Sequence, residues 1–245
     1  MNDLYSKEYA VVTGAASGIG KCVSELLVSK GVKVFALDIQ PVEIKNTLYI
    51  ECDVSSEKDL NDAFQCIMKI TKKIDYLVLS AGILCLNSRY LMEDLPLKEW
   101  TTVLNTNLTG VMLSIRTFIP LLKNNTKGSV VTYSSDQVIR PIPKSAPYLA
   151  SKAAVESLTR LAAVEYIDYK IRVNCIRAAA VDTNFLSSLV QEPEVRKEMR
   201  DNMDAKMPLG MITPQEIAVM TWGLLSETTS KMTGKVVTID SGILL

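Results

Sequence analysis

A short apolar segment, a glycine-rich turn and a helical segment open the chain, and their order restricts the possible folds more than any other feature. Residues 9–13 are apolar and β-branched, as in a buried strand. Gly14, Gly18 and Gly20 lie in the turn that follows, and residues 21–29 carry apolar side chains at helical spacing. Glycines let the backbone turn tightly and approach a ligand, and free N–H groups at a helix start bind phosphate. The order predicts a dinucleotide-phosphate site at the turn.

Asp38 ends a second apolar segment, residues 32–37, at the distance from the glycines where an acidic side chain accepts hydrogen bonds from an adenosine ribose. The same carboxylate would repel the 2′-phosphate of NADP. Residues 14–20 and 39–40 contain no lysine or arginine to offset that repulsion. The sequence therefore favours NAD over NADP. Ser17 is placed either to cap the first helix or to hydrogen-bond a phosphate.

Tyr148 and Lys152 are four residues apart at the start of a predicted helix, so both side chains lie on one helix face. An ammonium beside a phenol stabilises the phenolate and lowers the tyrosine pKa from about 10 towards neutrality. Such a phenol exchanges a proton with an alcohol or a carbonyl at physiological pH. Taken alone, the pair is more often an exposed tyrosine and lysine that share a helix.

Strand-like and helix-like segments alternate along all 245 residues without a linker, a repeat or a low-complexity tract. The predicted strands lie near residues 9–13, 32–38, 48–52, 74–80, 128–134, 170–176 and 235–239, and the predicted helices fill residues 18–30, 56–72, 97–123, 147–167 and 214–227. This alternation predicts one α/β domain over residues 1–245, a Rossmann-type doubly wound parallel sheet of about seven strands with helices on both faces. Ligands of such sheets bind at the carboxyl ends of the strands.

The composition argues against several classes of protein. The 27 Lys and Arg balance the 27 Asp and Glu, so a nucleic-acid partner is not expected. The sequence has no apolar run long enough for a membrane span and no signal-peptide core, so we expect a soluble cytoplasmic protein without a membrane partner. The absence of histidine excludes Ser-His-Asp and His-based zinc catalysis. The five scattered cysteines are expected to be reduced thiols, and no metal is expected.

Six motifs in the chain resemble those of the short-chain dehydrogenase/reductase family. They are the Thr-Gly-x-x-x-Gly-x-Gly turn at Thr13 to Gly20, Asp53-Val54 after the third strand, Asn-x-x-Gly at Asn107 to Gly110, Ser135 thirteen residues before the tyrosine, Tyr-x-x-x-Lys at Tyr148 and Lys152, and a near match to Gly-x-x-x-x-x-Asp-Gly-Gly at Gly234 to Gly242. Each motif alone is weak evidence. Because they occur together in the family's order and cover nearly the whole chain, the chain is identified as a member of that family.

The resemblance implies a nicotinamide-dependent hydride transfer with four catalytic residues. Tyr148 would exchange the proton of the substrate hydroxyl, and Lys152 would lower the pKa of that phenol and bond the nicotinamide ribose. Ser135 would hold the substrate oxygen and stabilise the charge that develops on it. Asn107 would fix a water that links Lys152 to solvent. Asparagine is a poor helix former, so its place inside a helical segment independently indicates a kink or a special contact.

The resemblance also implies which residues contact the cofactor. Asp53 would face the adenine amino group, although its position alone fits a turn or cap residue at least as well. Val181 and Thr183 are in register to hold the carboxamide and a phosphate. The full set of expected contacts is Gly14, Ser17, Gly18, Ile19, Gly20, Asp38, Ile39, Asp53, Val54, Ala81, Gly82, Tyr148, Lys152, Val181 and Thr183.

Two segments depart from the family pattern. The family's Asn-Asn-Ala-Gly after the fourth strand is Leu79-Ser80-Ala81-Gly82 here, and serine reaches less far than asparagine. The family's Pro-Gly after the sixth strand is Ala178-Ala179. Proline fixes φ and glycine admits positive φ, so two alanines predict a different or less constrained turn.

The substrate side of the site is less constrained by the sequence. Residues 184–212 are expected to form the substrate lid, either as a closing flap or as an amphipathic surface helix. Arg140 and Arg177 are the nearby cations that an anionic substrate would meet, unless both are ordinary solvated arginines.

The leading hypothesis is an NAD-dependent oxidoreductase acting on a small-molecule secondary alcohol or its ketone, of the sugar or polyol, cyclic diol or hydroxyacyl type. A 3-oxoacyl thioester reductase is the alternative among enzymes, and Asp38 disfavours it. An NAD-binding regulator without turnover is the alternative outside enzymes, and the altered turn at residues 178–179 motivates it. We expect a homo-oligomer, a tetramer or a dimer, with the helices near 97–123 and 147–167 at the subunit contact.

Overall fold

Seven parallel strands form one sheet in the order β3-β2-β1-β4-β5-β6-β7. The computed structural model describes residues 8–85, 89–125, 127–183 and 192–245. The strands are Tyr9–Thr13 (β1), Lys33–Asp38 (β2), Thr47–Glu51 (β3), Tyr76–Leu79 (β4), Ser129–Ser135 (β5), Arg172–Ala178 (β6) and Val236–Ile239 (β7). The strand order changes direction at β1, as in a doubly wound sheet, which confirms the predicted fold class and strand number.

Helices cover both faces of the sheet. They are Gly18–Ser29 (α1), Glu57–Met68 (α2), Leu97–Leu104 (α3), Gly110–Lys123 (α4), Ala146–Glu165 (α5), Pro193–Asp204 (α6) and Pro214–Leu225 (α7). Leu27 of α1 and Ile217 of α7 belong to one buried apolar cluster, whereas Leu60 of α2, Phe118 of α4 and Val155 of α5 belong to another. The two clusters lie on opposite faces because successive strand residues alternate, so that Val11 joins one cluster and Val12 the other.

The helix predicted over residues 97–123 is interrupted. Helix α3 ends at Leu104, one turn of π-helix covers Asn105–Thr109, and α4 begins at Gly110. The prediction of a single helix is therefore wrong, although the irregularity expected at Asn107 is present as this π-turn and as hydrogen bonds between Asn107 and Ile83. A π-turn inserts one residue into the helix, which changes the direction of the side chains that follow and often marks a functional site.

The predicted lid contains one described helix. Helix α6 lies within residues 192–212, and residues 184–191 lie outside the described part of the chain. Arg200 of α6 pairs with Asp182 at 2.6 Å, and Asp204 Oδ1 accepts a hydrogen bond from the Met211 nitrogen at 2.8 Å. The first contact ties the helix to the segment after β6, and the second ties its end to the loop before α7.

Two sequence expectations concern covalent and membrane features. All five cysteines are free thiols, as predicted. Every helix in the described ranges is too short or too polar to cross a lipid bilayer.

Candidate active site

The carboxyl ends of the strands meet along one edge of the sheet, because every pair of neighbouring strands is parallel. The register places Thr13 opposite Leu37 and Leu79, and Ser135 opposite Ala178. Nearly all the predicted site residues lie at these strand ends or in the segments that follow them. The edge therefore brings together side chains that are far apart in the sequence.

The glycine-rich turn is shaped by contacts that a side chain would prevent. Gly14 has a φ of 68°, and a Cβ there would lie 2.8 Å from the Cα of Ala81. A Cβ on Gly20 would lie 2.1 Å from the carbonyl oxygen of Gly14. Ser17 is the N-cap of α1 in an extended conformation, and its side chain makes no capping hydrogen bond. The first N–H groups of α1 are therefore left for an anion, as a pyrophosphate site requires.

Asp38 is fixed against this turn. Its Oδ2 accepts a hydrogen bond from the Ala16 nitrogen at 2.9 Å, and its Oδ1 accepts one from the Gln40 nitrogen at 2.9 Å. Ile39 follows as an exposed apolar side chain. A carboxylate held at the end of β2 beside the glycine-rich turn fits the hydroxyls of a ribose, since each oxygen keeps a further lone pair.

Asp53 makes the turn that its position suggested. Its Oδ1 accepts hydrogen bonds from the Ser55 nitrogen at 2.8 Å and from the Ser55 hydroxyl at 2.7 Å, while the side chain stays exposed. Val54 is buried, and a Cβ on Gly110 would lie 2.8 Å from its Cγ2. The glycine of the Asn-x-x-Gly motif thus lets α4 approach the segment after β3.

Ser80 stands where the family pattern has asparagine, and its side chain contacts β1. Its hydroxyl donates to the Thr13 carbonyl, and the Ala81 nitrogen donates to the Thr13 hydroxyl at 3.3 Å. A Cβ on Gly82 would lie 3.2 Å from Asn107 Oδ1 and 3.6 Å from Lys152 Nζ. Gly82 therefore packs against Asn107 and Lys152, and a side chain there would press on both.

The Ala178-Ala179 segment extends the sheet instead of forming a glycine turn. Neither alanine has a positive φ, Ala178 is the last residue of β6, and the Ala179 nitrogen donates to the Ile239 carbonyl at 3.0 Å. Val181 then bridges to Ile212. Thr183 Cγ2 lies 3.5 Å from the position of a Cβ on Gly18, so Thr183 sits against the start of α1. The altered turn thus keeps these two predicted cofactor contacts at the site edge.

Ser135, Tyr148 and Lys152 come together at the end of β5 and the start of α5. The Ser135 hydroxyl hydrogen-bonds with the Tyr148 phenol. Lys152 Nζ lies 5.6 Å from the centroid of the tyrosine ring and donates to the Tyr133 carbonyl at 3.1 Å. All three side chains are buried, and Tyr148 packs in an apolar cluster with Leu84 and Val103.

Asn107, in the π-turn, connects the segment after β4 to helix α5. Its Oδ1 accepts a hydrogen bond from the Ile83 nitrogen at 2.8 Å, and its Nδ2 donates to the Ile83 carbonyl at 2.8 Å and to the Ser151 hydroxyl at 3.2 Å. Ser151 in turn donates to the carbonyl of Tyr148 at 2.7 Å. Both amide N–H groups of Asn107 are thus bonded to protein, so the side chain positions the segment after β4 and helix α5.

The pKa values of Tyr148 and Lys152 differ from what the sequence predicts. Burial raises the pKa of Tyr148 to about 12, with a lowering effect of the Ser135 hydrogen bond and a raising effect of the Asp136 charge. Burial also lowers the pKa of Lys152 to about 8. The prediction that the tyrosine pKa falls is therefore wrong for this structure. Desolvation disfavours both charged forms, and it outweighs an ammonium that donates to the Tyr133 carbonyl.

The two arginines proposed to meet an anionic substrate both have carboxylate partners. Arg177 binds Glu156 with Nε at 2.8 Å and Nη2 at 2.7 Å. Arg140 binds Asp136 with Nη2 at 3.0 Å. The structure therefore does not support a role for Arg177 in binding an anion, because its side chain and that of Glu156 are largely buried as an ion pair.

Asp136 and Ser151 belong to the site and were missed by the sequence reasoning. Asp136 directly follows Ser135, so its proximity could have been read from the sequence. Its burial could not, because an aspartate after a strand is typical of an exposed turn. Ser151 lies three residues after Tyr148, and only the position of Asn107 in the fold reveals its contact.

Comparison with known proteins places the chain among dehydrogenases and reductases. A family model described as enoyl-(acyl carrier protein) reductase matches residues 14–244. An NAD-dependent glycerol dehydrogenase of Listeria innocua is 32% identical over 242 residues, which cover 95% of this chain and 92% of the relative.

Two solved structures have the same architecture over nearly their whole length. Ligand-free aldohexose dehydrogenase of Thermoplasma acidophilum has a TM-score of 0.91 at 28% identity, covering 97% of this chain and 94% of that chain. A short-chain dehydrogenase family protein of Francisella tularensis has a TM-score of 0.88 at 30% identity, covering 98% and 99%.

Proposed function

The chain belongs to the short-chain dehydrogenase/reductase family, and on that premise we propose that it is an NAD-dependent dehydrogenase in which Tyr148 is the acid/base. Membership makes the chain an oxidoreductase that acts on CH–OH groups with a nicotinamide cofactor. The proposed reaction moves a hydride between a secondary alcohol and the nicotinamide ring.

One observation carries the proposal. The Ser135 hydroxyl bonds the Tyr148 phenol, with Lys152 one helical turn away, on the same sheet edge as the glycine-rich turn. A proton-transfer group and a phosphate-binding turn on one edge are what a dinucleotide-dependent alcohol oxidation needs.

The roles follow from the contacts. Bound NAD would supply the hydride acceptor and the positive charge of its ring. Tyr148 would take the proton of the substrate hydroxyl, and Ser135 would hold the substrate oxygen beside the phenol. Lys152 would hold the nicotinamide ribose and contribute positive charge. Asn107 would keep the segment at Ile83 against α5, so that Gly82 stays beside Lys152.

The protonation states favour opposite pH ranges for the two directions. At neutral pH a phenol with a pKa of about 12 is protonated, so Tyr148 can donate a proton as a ketone is reduced. Oxidation of the alcohol needs the phenolate, whose fraction grows as the pH rises towards the pKa of Tyr148. We therefore expect kcat/KM for oxidation to rise with pH, while reduction does not.

Asp38 supports NAD as the cofactor. Its carboxylate is fixed by the Ala16 and Gln40 nitrogens, so it cannot move away from a 2′-phosphate without losing both hydrogen bonds. We expect a preference for NAD of roughly tenfold or more in kcat/KM, about 1.4 kcal/mol. The variant Asp38→Ala should narrow that preference by relieving the repulsion. Equal efficiency of the unaltered enzyme with NADP would refute this part of the proposal.

A sugar or polyol is the substrate class that we favour. The relatives named above include a glycerol dehydrogenase and an aldohexose dehydrogenase, whose substrates carry several hydroxyl groups. The amide oxygen of Gln137, two residues after Ser135, is buried and has no hydrogen-bond partner among the described residues. A neighbouring hydroxyl of the substrate is a suitable donor for such an acceptor.

A 3-oxoacyl thioester reductase is the second candidate. The matching family model, described as enoyl-(acyl carrier protein) reductase, favours it. The carboxylate of Asp38 disfavours it to the extent that such a reaction uses NADPH. A regulator that binds NAD without turnover is the third candidate, and the buried Ser135, Tyr148 and Lys152 group argues against it, because binding alone does not need a proton-transfer group.

The experiment measures formation of the reduced cofactor, NADH from NAD and NADPH from NADP, with glycerol, aldohexoses, cyclic diols and a 3-hydroxyacyl thioester. The variant Tyr148→Phe should lower kcat roughly 10³-fold, because it removes the proton acceptor. Tyr169→Phe, at an exposed tyrosine on the protein surface, is the matched control and should keep full activity. Turnover that survives Tyr148→Phe would contradict the role of Tyr148. Binding of NAD without turnover of any alcohol would favour the regulator.

We also propose a homo-oligomer, because α4 and α5 expose the apolar side chains of Met112, Leu161 and Val164. Light scattering on the purified protein should give the mass of a dimer or a tetramer. A monomer at micromolar concentration would contradict this proposal.

A further inference from the structure

We propose that Asp136 is a positioning residue of the active site, whose carboxylate holds the Ser135 hydroxyl against the Tyr148 phenol. The inference rests on the proposed function, because it concerns how Ser135 and Tyr148 are prepared for the reaction. It assigns Asp136 no direct contact with the substrate.

Three contacts converge on the Ser135 hydroxyl. Its Oγ donates to Asp136 Oδ1 at 3.2 Å and accepts a hydrogen bond from the Gln137 nitrogen at 3.3 Å. The Tyr148 phenol is the third partner. A hydroxyl has one proton and two lone pairs, and the Gln137 N–H occupies one lone pair. The proton goes to Asp136 Oδ1, and the Tyr148 oxygen competes for it when the phenol ionises, because the Ser135 hydrogen bond lowers the pKa of Tyr148. The second lone pair stays free for the phenol O–H or for a hydroxyl of the substrate. The carboxylate thus sets the direction in which the serine hydroxyl points.

Within the described residues, one ion pair holds the Asp136 carboxylate in turn. Arg140 Nη2 lies 3.0 Å from Asp136 Oδ2, and the Asp136 side chain is 7% exposed while that of Arg140 is 41% exposed. Arg140 Nε is buried and has no hydrogen-bond partner in the described part of the chain. The half-exposed guanidinium therefore offsets the charge of the carboxylate only in part, from its solvent side.

Charged and titratable groups reach Tyr148 from several elements. Lys152 on α5 itself and Asp136 after β5 act on Tyr148 directly. Arg140 pairs with Asp136, Glu99 lies on helix α3, which packs on α5, and Glu99 and Arg89 act on Cys85 after β4. After the larger effect of burial, the Asp136 charge raises the pKa of Tyr148. Asp136 therefore affects the kinetics in two ways. Its hydrogen bond to Ser135 affects kcat, and its charge affects the pH at which kcat/KM rises.

The substitution Asp136→Asn separates shape from charge, because the amide oxygen can still accept the Ser135 proton. Alcohol oxidation needs the phenolate, so a lower pKa of Tyr148 moves the rise of kcat/KM to lower pH. Removal of the carboxylate should produce this shift, by roughly 1 pH unit. Arg140→Gln removes the compensating charge and should shift the profile to higher pH. Asp62→Asn, at an exposed aspartate of α2, is the charge-matched control and should leave the profile unchanged.

Opposite shifts for Asp136→Asn and Arg140→Gln support the inference, since a merely structural disturbance would lower kcat without moving the midpoint in opposite directions. An unchanged midpoint in Asp136→Asn overturns it. Asp136→Leu, which can neither accept the serine proton nor carry charge, should combine the shift to lower pH with a loss of kcat of roughly tenfold or more. Equal kcat values for Asp136→Leu and Asp136→Asn would also overturn the positioning role.

A titration without turnover keeps this test separate from the proposed function. In protein with isotope-labelled tyrosine, the Tyr148 resonance is assigned with Tyr148→Phe and followed against pH by NMR. Asp136→Asn should lower the midpoint of that resonance even if no alcohol is a substrate. If Tyr148→Phe keeps turnover while the midpoint shifts, the proposed function fails and the electrostatic part of the inference stands. If Tyr148→Phe is inactive and Asp136→Asn changes neither midpoint nor rate, the inference alone fails.

Discussion

Two consecutive serines at the end of β5, Ser134 and Ser135, belong to two polar networks. The two networks differ in how many of their buried polar atoms have hydrogen-bond partners. Ser134 donates to Glu156 Oε1 at 2.8 Å, and both oxygens of that carboxylate bind Arg177. Burial would raise the pKa of Glu156, but the hydrogen bonds from Arg177 and Ser134 lower it below its usual value. This network therefore stabilises its charges and ties α5 to β6.

The network that starts at Ser135 is less complete. Asp136 and Arg140 share one contact, and Gln137 Oε1 and Arg140 Nε are buried without hydrogen-bond partners among the described residues. Ser135 also contacts Tyr148, and burial shifts the pKa values of Tyr148 and Lys152 against their charged forms. Incomplete polar networks cost stability, and they concentrate where a protein binds or reacts. The comparison separates a part of the strand end that holds the fold from a part that serves chemistry.

The largest effect on stability is expected for Arg177→Met. Among the described residues, it leaves the buried Glu156 carboxylate with Ser134 as its side-chain hydrogen-bond donor and with the charge of Arg160 acting on it. Breaking a buried ion pair in this way costs about 3–5 kcal/mol, which urea unfolding would detect. The activity of the folded fraction should change little. The double variant Glu156→Leu/Arg177→Met should recover much of the stability, because it leaves no charge unpaired. A single variant as stable as the unaltered protein would contradict the structural role of this network.

Lys152→Met should change stability in the opposite direction. The pKa of Lys152 is lowered to about 8 from 10.5, so the folded state disfavours the charged lysine. That cost is complete below about pH 8 and fades as the pH rises to the unfolded-state value. The variant should be roughly 2 kcal/mol more stable at neutral pH, and nearly all activity should be lost.

The pH dependence checks the cause of the Lys152→Met effect. Urea unfolding at neutral pH and at about pH 10 should show a gain in stability that shrinks at the higher pH. A destabilised variant at neutral pH, or a gain in stability that does not depend on pH, would contradict the claim that burial disfavours the charged form of Lys152.

The smallest effect is expected for Arg140→Gln. Arg140 is half exposed and makes one contact with Asp136, so its loss should reduce stability by about 1 kcal/mol or less. Thermal unfolding beside Arg177→Met compares the two arginine–carboxylate pairs directly. A loss for Arg140→Gln as large as that for Arg177→Met would remove the difference between the two networks.

The fold was largely predictable from the sequence, because local patterns determine it. Apolar β-branched segments such as residues 9–13 and 32–37 became central strands, and the alternation with helices fixed their parallel order. The break at Asn105–Thr109 was missed as an element, since helical periodicity continues on both sides of it. The poor helix propensity of Asn107 was the local sign of that break.

The arrangement of the site was less predictable, because it depends on contacts between distant residues. The convergence of Ser135, Tyr148 and Lys152 was expected from the family resemblance, because position at a strand end alone does not distinguish Ser135 from Ser134. The direction of the Tyr148 pKa shift did not, because spacing along a helix reveals a neighbouring ammonium but not the burial that outweighs it. Similarly, the carboxylate partner of Arg177 lies 21 residues away in the sequence, and only the packing of α5 on β6 reveals it.

The most direct test applies one substitution to both serines. Ser135→Ala should lower kcat by roughly 10²-fold or more at nearly unchanged thermal stability, because it removes a group that holds the reacting oxygen. Ser134→Ala should keep kcat and reduce stability by about 1–2 kcal/mol, because Glu156 loses a buried hydrogen bond. Comparable losses of activity in both variants, or an active Ser135→Ala enzyme, would contradict the division of this strand end into a stabilising and a catalytic side.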